Sequence, residues 1–164
     1  MDRTGDRSGI SSHPVRLAAT VVSGVFLLVG ILGFVPGVTT GYDGMTFAGH
    51  ESTAMLLGIF HVSILHNIVH LLFAVVGFAL ARSDGGARVF LVGGGVVYLI
   101  LWIYGLVIDM DSGANFVPLN TADNWLHFFL GIGMIALGAL LWRTGPSARS
   151  DTPSPRTQGG QQGA

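Results

Sequence analysis

Residues 60–80 read FHVSILHNIVHLLFAVVGFAL, and this stretch decides the fold. It is apolar enough to cross a bilayer, yet it carries His61, His66, Asn67 and His70. On a helical wheel with His66 at the origin, His70 falls at about 40°, Ser63 at about 60° and Asn67 at about 100°. Ala74, Gly77 and Ala81 occupy the same sector. Polar and small residues therefore share one face, and Leu, Ile and Val dominate the other. A transmembrane helix that buries polar groups against its neighbours and shows hydrocarbon to lipid has this pattern. His61 falls on the lipid side near the helix end, where an imidazole reaches the interface. On that placement, His70→Leu should disturb the bundle more than His61→Leu.

The whole chain agrees with a membrane reading. Half of its 164 residues are hydrophobic and only 10% are charged, the composition of a membrane protein. A net charge of −1 without a basic run excludes nucleic acid as a partner. Cysteine is absent, which excludes disulfides, thiolate metal sites and cysteine nucleophiles.

Outward from residues 60–80, four apolar runs predict helices over residues 15–35, 54–82, 88–109 and 124–143. Polar segments 1–14 and 144–164 read as disordered flanks. The fold class is an all-α, transmembrane four-helix bundle. The first run is a retained helix, because it is long for a signal sequence and no small-x-small cleavage site precedes Pro36-Gly37. Ala19, Ser23 and Gly30 form a small-residue stripe along it. Ser52 or Thr53 caps the second helix, and residues 83–87 make a tight turn before Arg88. Gly93-Gly94-Gly95 lies inside an apolar span and permits close helix approach. Asn120 or Thr121 caps the fourth helix, which Trp125 and Trp142 bracket as an aromatic belt.

Charge sets an orientation. Arg3, Arg7, Arg16, Arg82, Arg88, Arg143, Arg149 and Arg156 are all the basic residues, and four crossings put every one on the same side. The remaining loops hold Asp43, Glu51, Asp109, Asp111 and Asp123. The positive-inside rule then places both termini in the cytoplasm and the acidic loops outside.

The inward polar face comprises Ser63, His66, Asn67, His70, Tyr98, Asn124 and His127, with Asp109 and Asp123 at the outer mouth. An ionisable group at mid-membrane depth should be neutral and hydrogen-bonded. The leading expectation is a non-enzymatic protein without a cofactor, whose polar face packs the bundle or binds a small partner. No membrane-embedded acid accompanies the histidines, so no catalytic constellation is present. Three alternatives stand beside it. His66 and His127 are the best pair of axial ligands for a b-type haem, with Gly77 and Gly131 making room. His66 and His70 are spaced i, i+4 and reach one divalent metal, with His127 as a third ligand. A line of histidines also relays protons or passes a small solute in a channel or transporter. The partners are the lipid bilayer and, through the small-residue stripes, a second copy or another membrane protein.

HNIVHLLF over residues 66–73 and ANFVPLNTADNWLHFFLGIGMIALG over residues 114–138 resemble an uncharacterised family of four-helix integral membrane proteins. That family is of actinobacterial type and is known only as a domain of unknown function. The similarity covers residues 15–142. It implies a multi-pass protein of the bacterial cytoplasmic membrane, and implies no activity and no catalytic residues.

Overall fold

In the computed structural model, residues 13–144 are described. The expectations for residues 1–12 and 145–164 lie outside them. Four helices carry the chain: α1 (Pro14–Leu32), α2 (Ile64–Leu80), α3 (Asp84–Val107) and α4 (Thr121–Leu140). Three short strands lie between α1 and α2: β1 (Thr39–Thr40), β2 (Met55–Leu56) and β3 (Phe60–His61). α1, α3 and α4 are each long and apolar enough to cross a membrane, and α2, at 17 residues, is shorter. The protein is a helical membrane protein, with large apolar side chains such as Val21, Leu28, Val75, Ile103 and Phe129 exposed on its outside.

Local chemistry explains each helix start. Pro14 occupies the first turn of α1, where its missing N–H costs nothing. Ser63 caps α2 by accepting the His66 N–H at 3.1 Å, and Ser83 caps α3 by accepting the Gly86 N–H at 3.1 Å. α3 therefore begins inside the expected 83–87 turn. α4 opens on a reciprocal capping box between Asn120 and Asp123, three residues earlier than the apolar run indicated.

The second helix is where the sequence reading fails. Residues 54–62 do not extend α2; they fold back as an antiparallel sheet ordered β1-β2-β3. Ala54, Leu56 and Val62 are buried, whereas Leu57 and Ile59 are exposed, a period of two rather than 3.6. Both faces are apolar, which hides the alternation from a hydropathy reading. The break comes at Leu57-Gly58, where both residues take left-handed φ angles of 55° and 69°. Ile59 N–H donates to Leu56 O at 3.1 Å, closing a type I′ turn. Ser52, expected as a helix cap, instead donates its hydroxyl to Val62 O at 2.6 Å. His61 is thus a strand residue, and its wheel position facing lipid is withdrawn.

Packing divides the bundle into two tight pairs. α1 lies on α2, and α3 lies on α4. In the first pair a Cβ on Gly77 would strike Ser23 Oγ, with Phe90 of α3 also close, and a Cβ on Gly30 would strike Leu71. In the second pair the backbones touch: a Cβ on Gly95 would sit 2.7 Å from Gly131 O. Gly94 receives Met134, while Gly93 faces open space, so two of the three consecutive glycines serve helix approach.

The ends of the bundle differ in charge. At one end Arg16 Nε donates to Ala81 O at 3.2 Å, His13 meets Asp84 at 3.0 Å, and Arg88 lies over Trp142 at 5.1 Å. At the other end lie the sheet and the loop after α3, tied together where Gly49 N–H donates to Phe116 O at 2.7 Å. Buried Asn115 organises that second loop through bonds to Met110 O, Leu119 O and the Leu119 N–H.

Candidate functional site

His66 and His70 lie one turn apart on α2, and their ring centroids are 4.7 Å apart. His127 enters from α4 and meets the Tyr98 ring of α3 edge-on at 5.2 Å. Phe26 of α1 links the two groups, stacked on His70 at 5.9 Å and on Tyr98 at 5.6 Å. Three helices thus bring His66, His70, Tyr98 and His127 into one aromatic layer, and Phe26 joins it from the fourth. The expected convergence of these four is present. Phe26 is an addition, legible only as the next position along the Ala19–Ser23 stripe.

The other expected members go elsewhere. Ser63 is spent on the α2 cap. The Asn67 amide lies against Gly33, where a Cβ would collide with it, and neither its oxygen nor its nitrogen has a partner. Asn124 lies against Gly105 of α3 and its oxygen is likewise unpartnered. Asp109 is exposed and accepts the Asp111 N–H at 3.0 Å, a hydrated turn. Asp123 is buried, and Oδ2 accepts both the Asn120 and the His61 backbone N–H at 3.0 Å. That carboxylate is a cap and a clamp holding β3 to α4.

A buried imidazole at this depth is expected to be hydrogen-bonded, and the histidines meet that only in part. The His66 ring bonds to the backbone of His61, while Nδ1 of His66, of His70 and of His127 is enclosed without a partner. His66 and His127 are each only 5% exposed. An unmade bond on a buried polar atom costs about 1–3 kcal/mol, so three of them in one layer require an explanation beyond packing.

Two cavities adjoin these rings. The larger, about 250 Å³, is lined by all three histidines, Tyr98 and Asp123, with apolar walls from α1, the β2–β3 turn and α4. The smaller, about 100 Å³, lies towards the loop after α3, against Tyr104, Phe116, Val117 and Leu119. His66, His70 and His127 line both and form the partition between them.

Neither cofactor alternative gains from this geometry. Gly77 and Gly131, expected to make room for a porphyrin, are filled by helix contacts with Ser23, Phe90, Gly95 and Leu99. Among the described residues no three His, Asp or Glu side chains are grouped to hold a metal ion, so His66, His70 and His127 do not make the expected three-ligand set. What the layer does offer is a void with mostly apolar walls lined by three imidazoles and a phenol, the make-up of a small-molecule site between bundle helices.

No curated protein and no solved structure matches the chain. The family model for a domain of unknown function, DUF4383, matches residues 16–140, a span that holds all but the first two residues of the four helices and every residue of the histidine layer, and the chain therefore belongs to the DUF4383 family.

Proposed function

We propose that this is a non-enzymatic, multi-pass protein of the bacterial cytoplasmic membrane that binds a small molecule in its histidine-lined chamber. Both termini lie in the cytoplasm on this reading, and the chamber sits in the outer half of the bundle. The segregation of Arg16, Arg82 and Arg88 from Asp43, Glu51, Asp109 and Asp111 supports that orientation. The observation that carries the binding role is the chamber of about 250 Å³ that His66, His70, His127 and Tyr98 line, beside imidazole Nδ1 atoms that make no hydrogen bond. Side chains kept only for packing normally have every buried polar atom tied to a partner, and these three Nδ1 atoms are not.

A thermal-shift screen of small hydrogen-bonding compounds against the purified full chain tests the role. Compounds that stabilise wild type should lose their effect in His66→Leu and His127→Leu. If both variants keep the wild-type profile, the chamber is not the binding site. A Soret band in the purified protein would restore the haem alternative.

A second reading is passage of protons or a small solute, favoured by the sharing of all three histidines between two cavities. Proteoliposomes containing a pH-sensitive dye test it. Flux that depends on His70 supports it, and wild-type vesicles as tight as empty ones remove it.

A further inference from the structure

We infer that the chamber is loaded sideways from lipid, between α1 and α4 beneath the β2–β3 turn, by a neutral lipid-soluble molecule bearing carbonyl or hydroxyl oxygens. This rests on the small-molecule reading above and names its ligand class.

The rim decides the route. Among the residues lining the chamber, three are largely exposed: Val25 of α1 at 50%, Leu57 of the turn at 61% and Leu126 of α4 at 43%. The rest of the lining is buried or half-buried. All three rim residues are aliphatic, and they continue the exposed apolar faces that carry Val21 and Leu28 on α1 and Phe129 on α4. α1 and α4 meet only sparsely, which leaves the gap. An opening within such a band faces hydrocarbon rather than water.

The alternative route along the bundle axis is closed. Asp123 holds the His61 N–H, and Asn120 Nδ2 donates to Ile59 O at 2.8 Å, so the β3 limb of the turn is fastened at two points to the start of α4. Leu56 and Val62 are buried beneath this roof. Leu57 stands at its edge in a left-handed conformation that ordinarily selects Asn or Gly. A leucine there costs about 1–2 kcal/mol, and strain of this kind gathers at ligand clamps.

Charge and size define the ligand. No Arg lines the chamber, and its one carboxyl side chain is Asp123. A carboxylate or phosphate head would enter without a counter-charge, at a cost of several kcal/mol. A neutral oxygen enters among the rings of His66, His70, His127 and Tyr98, which line the chamber. At about 250 Å³ the chamber falls below the range of roughly 300–1,000 Å³ typical of drug-sized pockets, so it accepts a head and leaves an alkyl tail in the bilayer.

The test uses the full chain in phosphatidylcholine nanodiscs and three photoreactive diazirine probes: hexadecanol, the matching hexadecanoic acid, and a short water-soluble alcohol. Cross-linked residues are mapped by mass spectrometry. Labelling by the hexadecanol probe should concentrate on residues 25–29, 56–60, 66–70 and 126–130 and be competed by unlabelled hexadecanol. The double variant Val25→Trp, Leu126→Trp narrows the opening at exposed positions that folding does not need. It should cut labelling of residues 66–70 about tenfold. Chamber labelling by the short alcohol that survives in the double variant overturns the lipid route and leaves the binding reading intact. Equal labelling by the acid overturns the neutral head. Absence of chamber labelling by all three probes overturns both this inference and the reading beneath it.

Discussion

Where Gly95 meets Gly131, α3 and α4 touch through their backbones, whereas around His66, His70 and His127 the same bundle holds its helices apart. Both regions belong to the inward face of small and polar residues. Side-chain size separates them. Glycine lets two helices close until carbonyl oxygens block any Cβ, and close packing then leaves no void. Rings from four helices cannot close in this way, and their edges stay without partners. One region is built for stability, and the other retains polar groups that stability does not explain.

The largest effect should come from the tight region. Gly95→Leu forces a side chain into a space where even a Cβ stands 2.7 Å from Gly131 O. Overpacking against backbone should cost about 3 kcal/mol, read as a lower melting temperature in detergent. Gly93→Leu, with nothing within 4 Å, should melt like wild type. Equal melting of the two variants would break the contrast at its first step.

Next comes the clamp between the regions. Asp123→Ala removes the acceptor of the His61 and Asn120 N–H groups, as well as the capping box. The loss should be about 2 kcal/mol. Asp123→Asn keeps one acceptor oxygen and should lose less. A variant in which Ala and Asn behave alike would show that the carboxyl contributes no hydrogen bond here.

Much of this was legible in the sequence, for reasons that single residues make plain. Four apolar runs marked the four helices, because hydrocarbon length is a strong constraint. His66, Tyr98 and His127 were placed on inward faces by wheel geometry, and they do meet. Residues 54–62 were misread because Met55, Leu57 and Ile59 are as apolar as Leu56, Phe60 and Val62, and His61 was the one polar position, too few to betray the strand period. Gly58 was the available signal, since glycine beside a turn weakens a helix assignment. Asn67 and Asn124 share a face with the histidines, but each is taken by a facing glycine, Gly33 or Gly105, on a different neighbour. A wheel gives direction, not partner. The cavities belong to the fit between helices and have no counterpart in any one segment.

The turn at the rim offers a smaller effect of opposite sign. Leu57→Asn creates the Asn-Gly pair favoured in a type I′ turn and relieves the left-handed leucine. Stability in detergent should rise by about 1 kcal/mol, since the Leu57 side chain is mostly exposed. A fall instead would mean that Leu57 is held by contacts worth more than its strain.

The smallest expected change is the most informative. His66→Leu and His127→Leu replace imidazoles whose Nδ1 atoms have no partner. If the rings packed the bundle through hydrogen bonds, each replacement would strand a buried group and cost about 1–3 kcal/mol. His127→Leu strands no partner and fills part of the void, so its melting should stay within about 0.5 kcal/mol of wild type or rise. His66→Leu also gives up the ring's bond to the His61 backbone, and its loss should still stay below about 1 kcal/mol. Ser63→Ala supplies the yardstick, because it removes a cap that does carry a bond, to the His66 N–H, and should cost about 1 kcal/mol. His61→Leu should be close to silent, since the bond that His61 makes to Asp123 comes from its backbone. Should His66→Leu destabilise more than Ser63→Ala, the imidazoles hold the helices together, and the distinction between a region built for stability and one built for a ligand collapses.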